Sequence, residues 1–127
     1  MQDLQELVDH YVAQLSGPNA FNACHSLIEA GPPALALVMD AFNMSTDTHV
    51  KVSLVRIVSE YRTEYAVPFL QHVLQDRRPE MWKAALDGLV ILGDQAALDA
   101  LCEARIIASR EQRPWLEEAI QQVSDGI

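Results

Sequence analysis

The first 50 residues contain no lysine and no arginine, yet they carry six carboxylates: Asp3, Glu6, Asp9, Glu29, Asp40 and Asp47. Cations are scarce throughout. Nine Lys and Arg stand against eighteen Asp and Glu, a formal net charge of −9. This argues against nucleic acid as a partner, because a polyanion is held by cations that displace its counterions. The same charge would steer a basic protein toward the chain. Cysteine is nearly absent. Cys24 and Cys102 lie 78 positions apart, which gives neither a disulfide framework nor paired metal-ligand spacing, so both read as small buried thiols. Five glycines leave no phosphate-binding loop and no GxSxG element. No apolar run approaches the roughly 20 residues of a membrane span. The opening MQDLQEL lacks the basic and apolar regions of a secretory signal. The expectation is a cytoplasmic protein with no membrane partner.

Half of the residues are hydrophobic, which argues against disorder, and the abundance of Ala, Leu, Gln and Glu favours helix. A chain of 127 residues suits one domain and needs neither disulfide nor metal to bury a core. The stretch AVPFLQHVLQD, residues 66–76, places Val67, Leu70, Val73 and Leu74 on one helical face. Pro68 falls in the first turn, where its missing N–H would have no intrahelical partner. It therefore opens a helix, with Thr63 as the expected N-cap. Pro32 and Pro33, Pro79 and Pro114 take similar positions. A second helix spans Pro79–Leu92 and ends at Gly93, a residue suited to the left-handed conformation. Gly88 lies inside that helix at a cost in stability, which marks it as a close helix–helix contact.

The unit repeats with a period in the low thirties. PALALVMDAFN aligns with PFLQHVLQDRR at an offset of 35, and HVKVSLVRIVSEYR aligns with the helix 79–92 at 32. Ala97, Leu98 and Leu101 match Ala66, Val67 and Leu70 at 31, and WLEEAIQQV matches MWKAALDGL at 34. Ahead of these lie a helix over 2–15 and one that Asn19 would cap. No segment alternates strictly, so no sheet is expected. The fold class is all-α: a short right-handed α-solenoid of about eight helices in four antiparallel pairs. A divergent terminal pair covers 1–30, and repeats cover 31–63, 64–93 and 94–124.

The proline-led first helix, the turn at Asp76, the Ala-Leu core of the second helix and the Leu-Gly-Asp link at 92–94 carry a resemblance. Over about residues 31–124 the chain resembles HEAT-like repeat proteins, of the kind found among phycobilisome lyases. The resemblance implies a scaffold whose second helices line the concave side. Members that hold a di-iron centre use His-Glu dipeptides, and none of His10, His25, His49 and His72 precedes a glutamate. No metal, no cofactor and no catalytic residue is expected, so the chain reads as non-enzymatic.

What remains is a surface for a protein partner. In the helix 48–61 the core stripe is Val50, Ser53, Leu54, Ile57 and Tyr61. The other stripe holds His49, Val52, Arg56 and Ser59. Glu80, Lys83, Ala84 and Asp87 follow in the next second helix, and Glu117, Glu118 and Gln121 in the last. The partner-binding candidates are His49, Val52, Arg56, Lys83, Asp87, Glu117 and Glu118. Trp82 and Trp115 fit core positions, and Tyr61 and Tyr65 flank a turn where both would be partly exposed. Some bacterial immunity proteins have similar HEAT-like folds, and a small acidic chain suits the capture of a basic toxin. The alternative is an adaptor or assembly subunit of a larger complex, including the lyase-associated kind, which an apolar end on the last repeat would support.

Overall fold

In a computed structural model, which describes residues 3–127, the chain is a short α-solenoid. Its helices are α1 (Leu4–Val12), α2 (Ala20–Ala30), α3 (Leu35–Met44), α4 (Thr48–Glu60), α5 (Val67–Val73), α6 (Pro79–Leu92), α7 (Gln95–Ile106) and α8 (Arg113–Gly126). No strand occurs among the described residues. The expected start of the first helix at Gln2 lies outside them. Consecutive helices pack as α1–α2, α3–α4, α5–α6 and α7–α8. The second helices then stack in the order α2, α4, α6, α8, while α1 meets α3 and α5 meets α7 in the other layer.

Local chemistry sets the helix starts. Asp3 accepts from Glu6 N at 2.8 Å, Asp47 from His49 N at 2.8 Å, and Asp94 from Ala97 N at 2.9 Å. Each satisfies a donor that the first turn leaves open. Thr63 caps as expected, accepting from Tyr65 N at 3.3 Å. Asn19 holds the cap position of α2, but its side chain makes no capping bond. Short 3-10 turns, Pro32–Ala34 and Glu64–Ala66, lead into α3 and α5. They are 32 residues apart, so the first helices correspond at 32 and not at the expected 35. Leu35 then matches Val67, both 8% exposed, and Val38 matches Leu70.

The burial pattern follows the stacking. α8 buries one stripe, Leu116, Ala119 and Val123. α4 and α6, flanked by helices on both sides, bury much more of their circumference. Val52 and Ser59 are buried in α4 and Ala84 in α6, so these three expected surface positions belong to the interior. Ser53, expected in the core, is only half-buried. Cys24 and Cys102 are also half-buried and free.

Tyr61 is buried, not partly exposed, and its hydroxyl donates to Leu27 O at 2.7 Å. Leu27 supplies one of the last four carbonyls of α2, which have no intrahelical donor. Burial pushes the Tyr61 phenol up to about 12. The unfolded chain would release this proton near pH 10, while the fold keeps it. Stability therefore falls from pH 10 to 12, by at most ~1.4 kcal/mol per pH unit. Tyr61→Phe is expected to flatten that limb in urea titrations across this range. Equal slopes in the two proteins would show that the phenol ionises as freely folded as unfolded.

Candidate functional site

Each second helix keeps an open stripe. α2 offers Phe21, His25 and Glu29; α4 offers His49, Arg56 and Glu60; α6 offers Glu80, Asp87 and Ile91. The spacing of three and four keeps each set on one helical face. On α8, Trp115, Glu117 and Glu118 are exposed. Of the expected partner-binding residues, His49, Arg56, Asp87, Glu117 and Glu118 are therefore at the surface. Val52 is not: it is 8% exposed, because α6 stacks against that side of α4.

Lys83 is half-buried beside the two tryptophans. Its ammonium lies 4.5 Å from the Trp115 ring centroid and 5.5 Å from that of Trp82. The rings meet edge to face with centroids 6.0 Å apart. Trp82 is core, at 2% exposure. Trp115 departs from the core expectation at 46% exposure. The reason is its place on the last helix of the stack. Met81, its counterpart one repeat earlier, is fully buried.

The acid excess divides into two parts. Asp3, Asp47 and Asp94 cap helices, and Asp76 clasps Arg78. The other fourteen carboxylates are all exposed. Only two ion pairs come within 4.0 Å among the described residues, His25–Glu29 and Arg78–Asp76. Arg56 and Lys83 thus leave the carboxylates around them largely uncompensated. No group of three His, Cys, Asp or Glu side chains that could hold a metal ion occurs among the described residues. No helix there is long and apolar enough to cross a membrane.

Cys24 sits beside α4, where burial pushes its thiol up. The Ser53 side chain and the charge of Arg56 offset part of that rise. Such a thiol is a poor nucleophile at neutral pH.

The sequence did not reveal the Asp76–Arg78 clasp. Arg78 donates to Asp76 through Nε at 3.0 Å and Nη2 at 2.8 Å, and its Nη1 reaches Thr48 Oγ1 at 2.8 Å. The fork ties the turn of one pair to the first residue of α4, and these hydrogen bonds hold the Asp76 carboxyl below its usual range. A basic residue two positions after an aspartate in a turn was the available signal, but its reach to Thr48 depends on tertiary placement.

A family model described as HEAT repeats matches residues 33–123. Comparison with curated proteins gives no match.

Proposed function

Since the chain belongs to the HEAT-repeat family, whose members act as protein-binding scaffolds, we propose that it is a non-enzymatic module that captures a basic protein. The finer reading is an immunity or inhibitor protein that neutralises a basic partner such as a toxin. The observation behind it is the charge of the second-helix face. Glu29, Glu60, Glu80, Asp87, Glu117 and Glu118 are exposed there, against Arg56 and Lys83. Uncompensated carboxylates on a rigid surface accelerate encounter with a basic protein and exclude acidic ones. Trp115, His49 and Arg56 supply the contacts that would fix register, since half-exposed tryptophans and arginines are frequent interface anchors.

The stacking adaptor is the weaker reading. Away from its buried stripe α8 also exposes Gln121, Gln122, Ser124 and Asp125. A polar surface of this kind closes a solenoid rather than extending it.

The test is a pull-down with the tagged chain from its host's lysate at low salt, followed by a salt wash. A basic protein captured at low salt and released by the wash is expected. Capture should weaken when Glu60→Gln, Asp87→Asn and Glu118→Gln are combined. Undiminished capture by that triple variant, or no basic partner at all, would sink the proposal.

A further inference from the structure

A cleft of about 810 Å³ lies between the loops that follow α5 and α7, lined by Asp76, Glu103 and Glu111 against Arg77. Its mixed charge selects no partner. The turn between α4 and α5 does. Three of the described residues take a positive φ: Gly31 at 78°, Arg62 at 50° and Gly93 at 62°. They are spaced 31 positions apart, each just past the end of a second helix. Glycine is the ordinary choice there, because a Cβ crowds the backbone in that conformation. Two of the turns have it. The third holds arginine at a cost in stability. Strain of this kind collects where a side chain has a task. The Arg62 side chain has none inside the molecule: Arg62 is exposed and has no carboxylate within 4.0 Å among the described residues.

Its neighbours share that condition. Glu60 and Glu64 are exposed and have no cation within 4.0 Å among the described residues. Tyr65 is 77% exposed, in the lead-in turn where Pro33 stands 32 residues earlier. Meanwhile the turn is fixed from inside. Tyr61 is bonded to Leu27 O, Thr63 caps the 3-10 turn, and Ala66 is 2% exposed. A backbone set in advance lowers the entropic cost of binding. Along this turn the free charges run negative, positive, negative.

We propose that the turn docks a segment of the partner protein in which a carboxylate is flanked by cations. The assignment rests on the basic-partner reading above and adds the element that discriminates among basic proteins. The partner's cations meet Glu60, Glu64 and the face of Tyr65. Its carboxylate meets the guanidinium of Arg62, whose planar fork takes it in a paired contact. Arg62 is the specificity-determining residue. It repels a segment of cations alone, so the acidic surface does not hold every basic protein equally.

The probes are two fluorescent lysine-rich peptides, one with a central aspartate and the other with asparagine in its place. The asparagine peptide is the more cationic, and net charge alone favours it on a chain of −9. Anisotropy at low salt should instead show the aspartate peptide binding about threefold tighter, the worth of one exposed ion pair. Arg62→Gly should reverse that order. Arg62→Lys should keep it, and so should Arg110→Gln, an equal loss of charge on another loop. Glu60→Gln combined with Glu64→Gln should weaken both peptides. In urea Arg62→Gly should unfold no earlier than the unaltered chain, since it relieves the strained turn. A lower midpoint would show that the arginine is kept for stability and would overturn the proposal. So would equal or tighter binding of the asparagine peptide to the unaltered chain, or an aspartate preference that survives Arg62→Gly. If both peptides bind both proteins alike, the basic-partner reading stands and this inference alone fails. If neither peptide binds any of the proteins, both fail.

Discussion

Trp82→Ala is expected to lower the unfolding free energy by about 3–5 kcal/mol, the usual cost of deleting a buried aromatic. Trp82 is 2% exposed and sits in α6, the helix covered from both sides by α4 and α8. Truncation removes the edge-to-face contact with Trp115 and opens a hole that α4 and α8 cannot both close. Domains of this kind are stable by roughly 5–15 kcal/mol, so the variant would lose a large share of its margin. Trp115→Ala provides the contrast. Its ring is 46% exposed on the last helix, and its loss should cost about 1 kcal/mol, the worth of one aromatic pair and modest area. Urea titrations with a common slope measure both. Equal losses for the two variants would mean that Trp115 is as deeply packed as Trp82, contrary to the structure.

Gly88→Ala is expected to destabilise by about 1–3 kcal/mol, as overpacking in a filled core does. In an ordinary helix the same change would stabilise by about 1 kcal/mol, so the sign itself is diagnostic. A Cβ at Gly88 would overlap Ser59 Oγ, and would lie 3.1 Å from Ser59 Cβ and 3.2 Å from Leu70 Cδ1. Ser59 is buried and its hydroxyl donates to Val55 O at 2.8 Å. Rotating the hydroxyl away would break that bond and still leave the two carbon contacts tight. The helices α4 and α6 would have to part. Ser59→Gly in the Gly88→Ala background should restore part of the loss, because the added methyl then has room. A double-mutant cycle should show coupling of about 1 kcal/mol or more between the two positions. If Gly88→Ala proves neutral or stabilising, α4 and α6 do not approach as closely as described.

Much of the fold could be read from local signals. Pro79 in the first turn of α6 and Gly93 just beyond it, with φ at +62°, fix that helix to the residue. The errors have a common origin in periodicity. A shift of three residues moves a stripe by nearly one helical turn, so Leu35 finds an apolar match at Val67 or at Leu70 alike. Only the two 3-10 lead-in turns show that 32 is the spacing. Periodicity also identifies one buried face per helix. In α4 it picked Val50, Leu54 and Ile57, all buried, and left Val52 and Ser59 on the other side. Those two are covered by α6, and the only sequence mark of that second contact was Gly88.

The candidate face was legible as a set of charges but not as a surface. The sequence showed that carboxylates outnumber cations two to one and that residues 1–50 have no cation. It could not show that fourteen of them are exposed, that Lys83 rests against Trp115, or that Arg77 and Glu111 line the same cleft. Residues 30 or more positions apart meet only when one helix pair is laid on the next. Each residue's local bonding sets helix starts, stops, inner stripe and net charge, and these the sequence determined alone. Which outer stripe is covered, which tryptophan stays at the surface and which loops enclose a hollow depend on how the pairs stack. That is a property of the assembled solenoid, and the tertiary structure decided it.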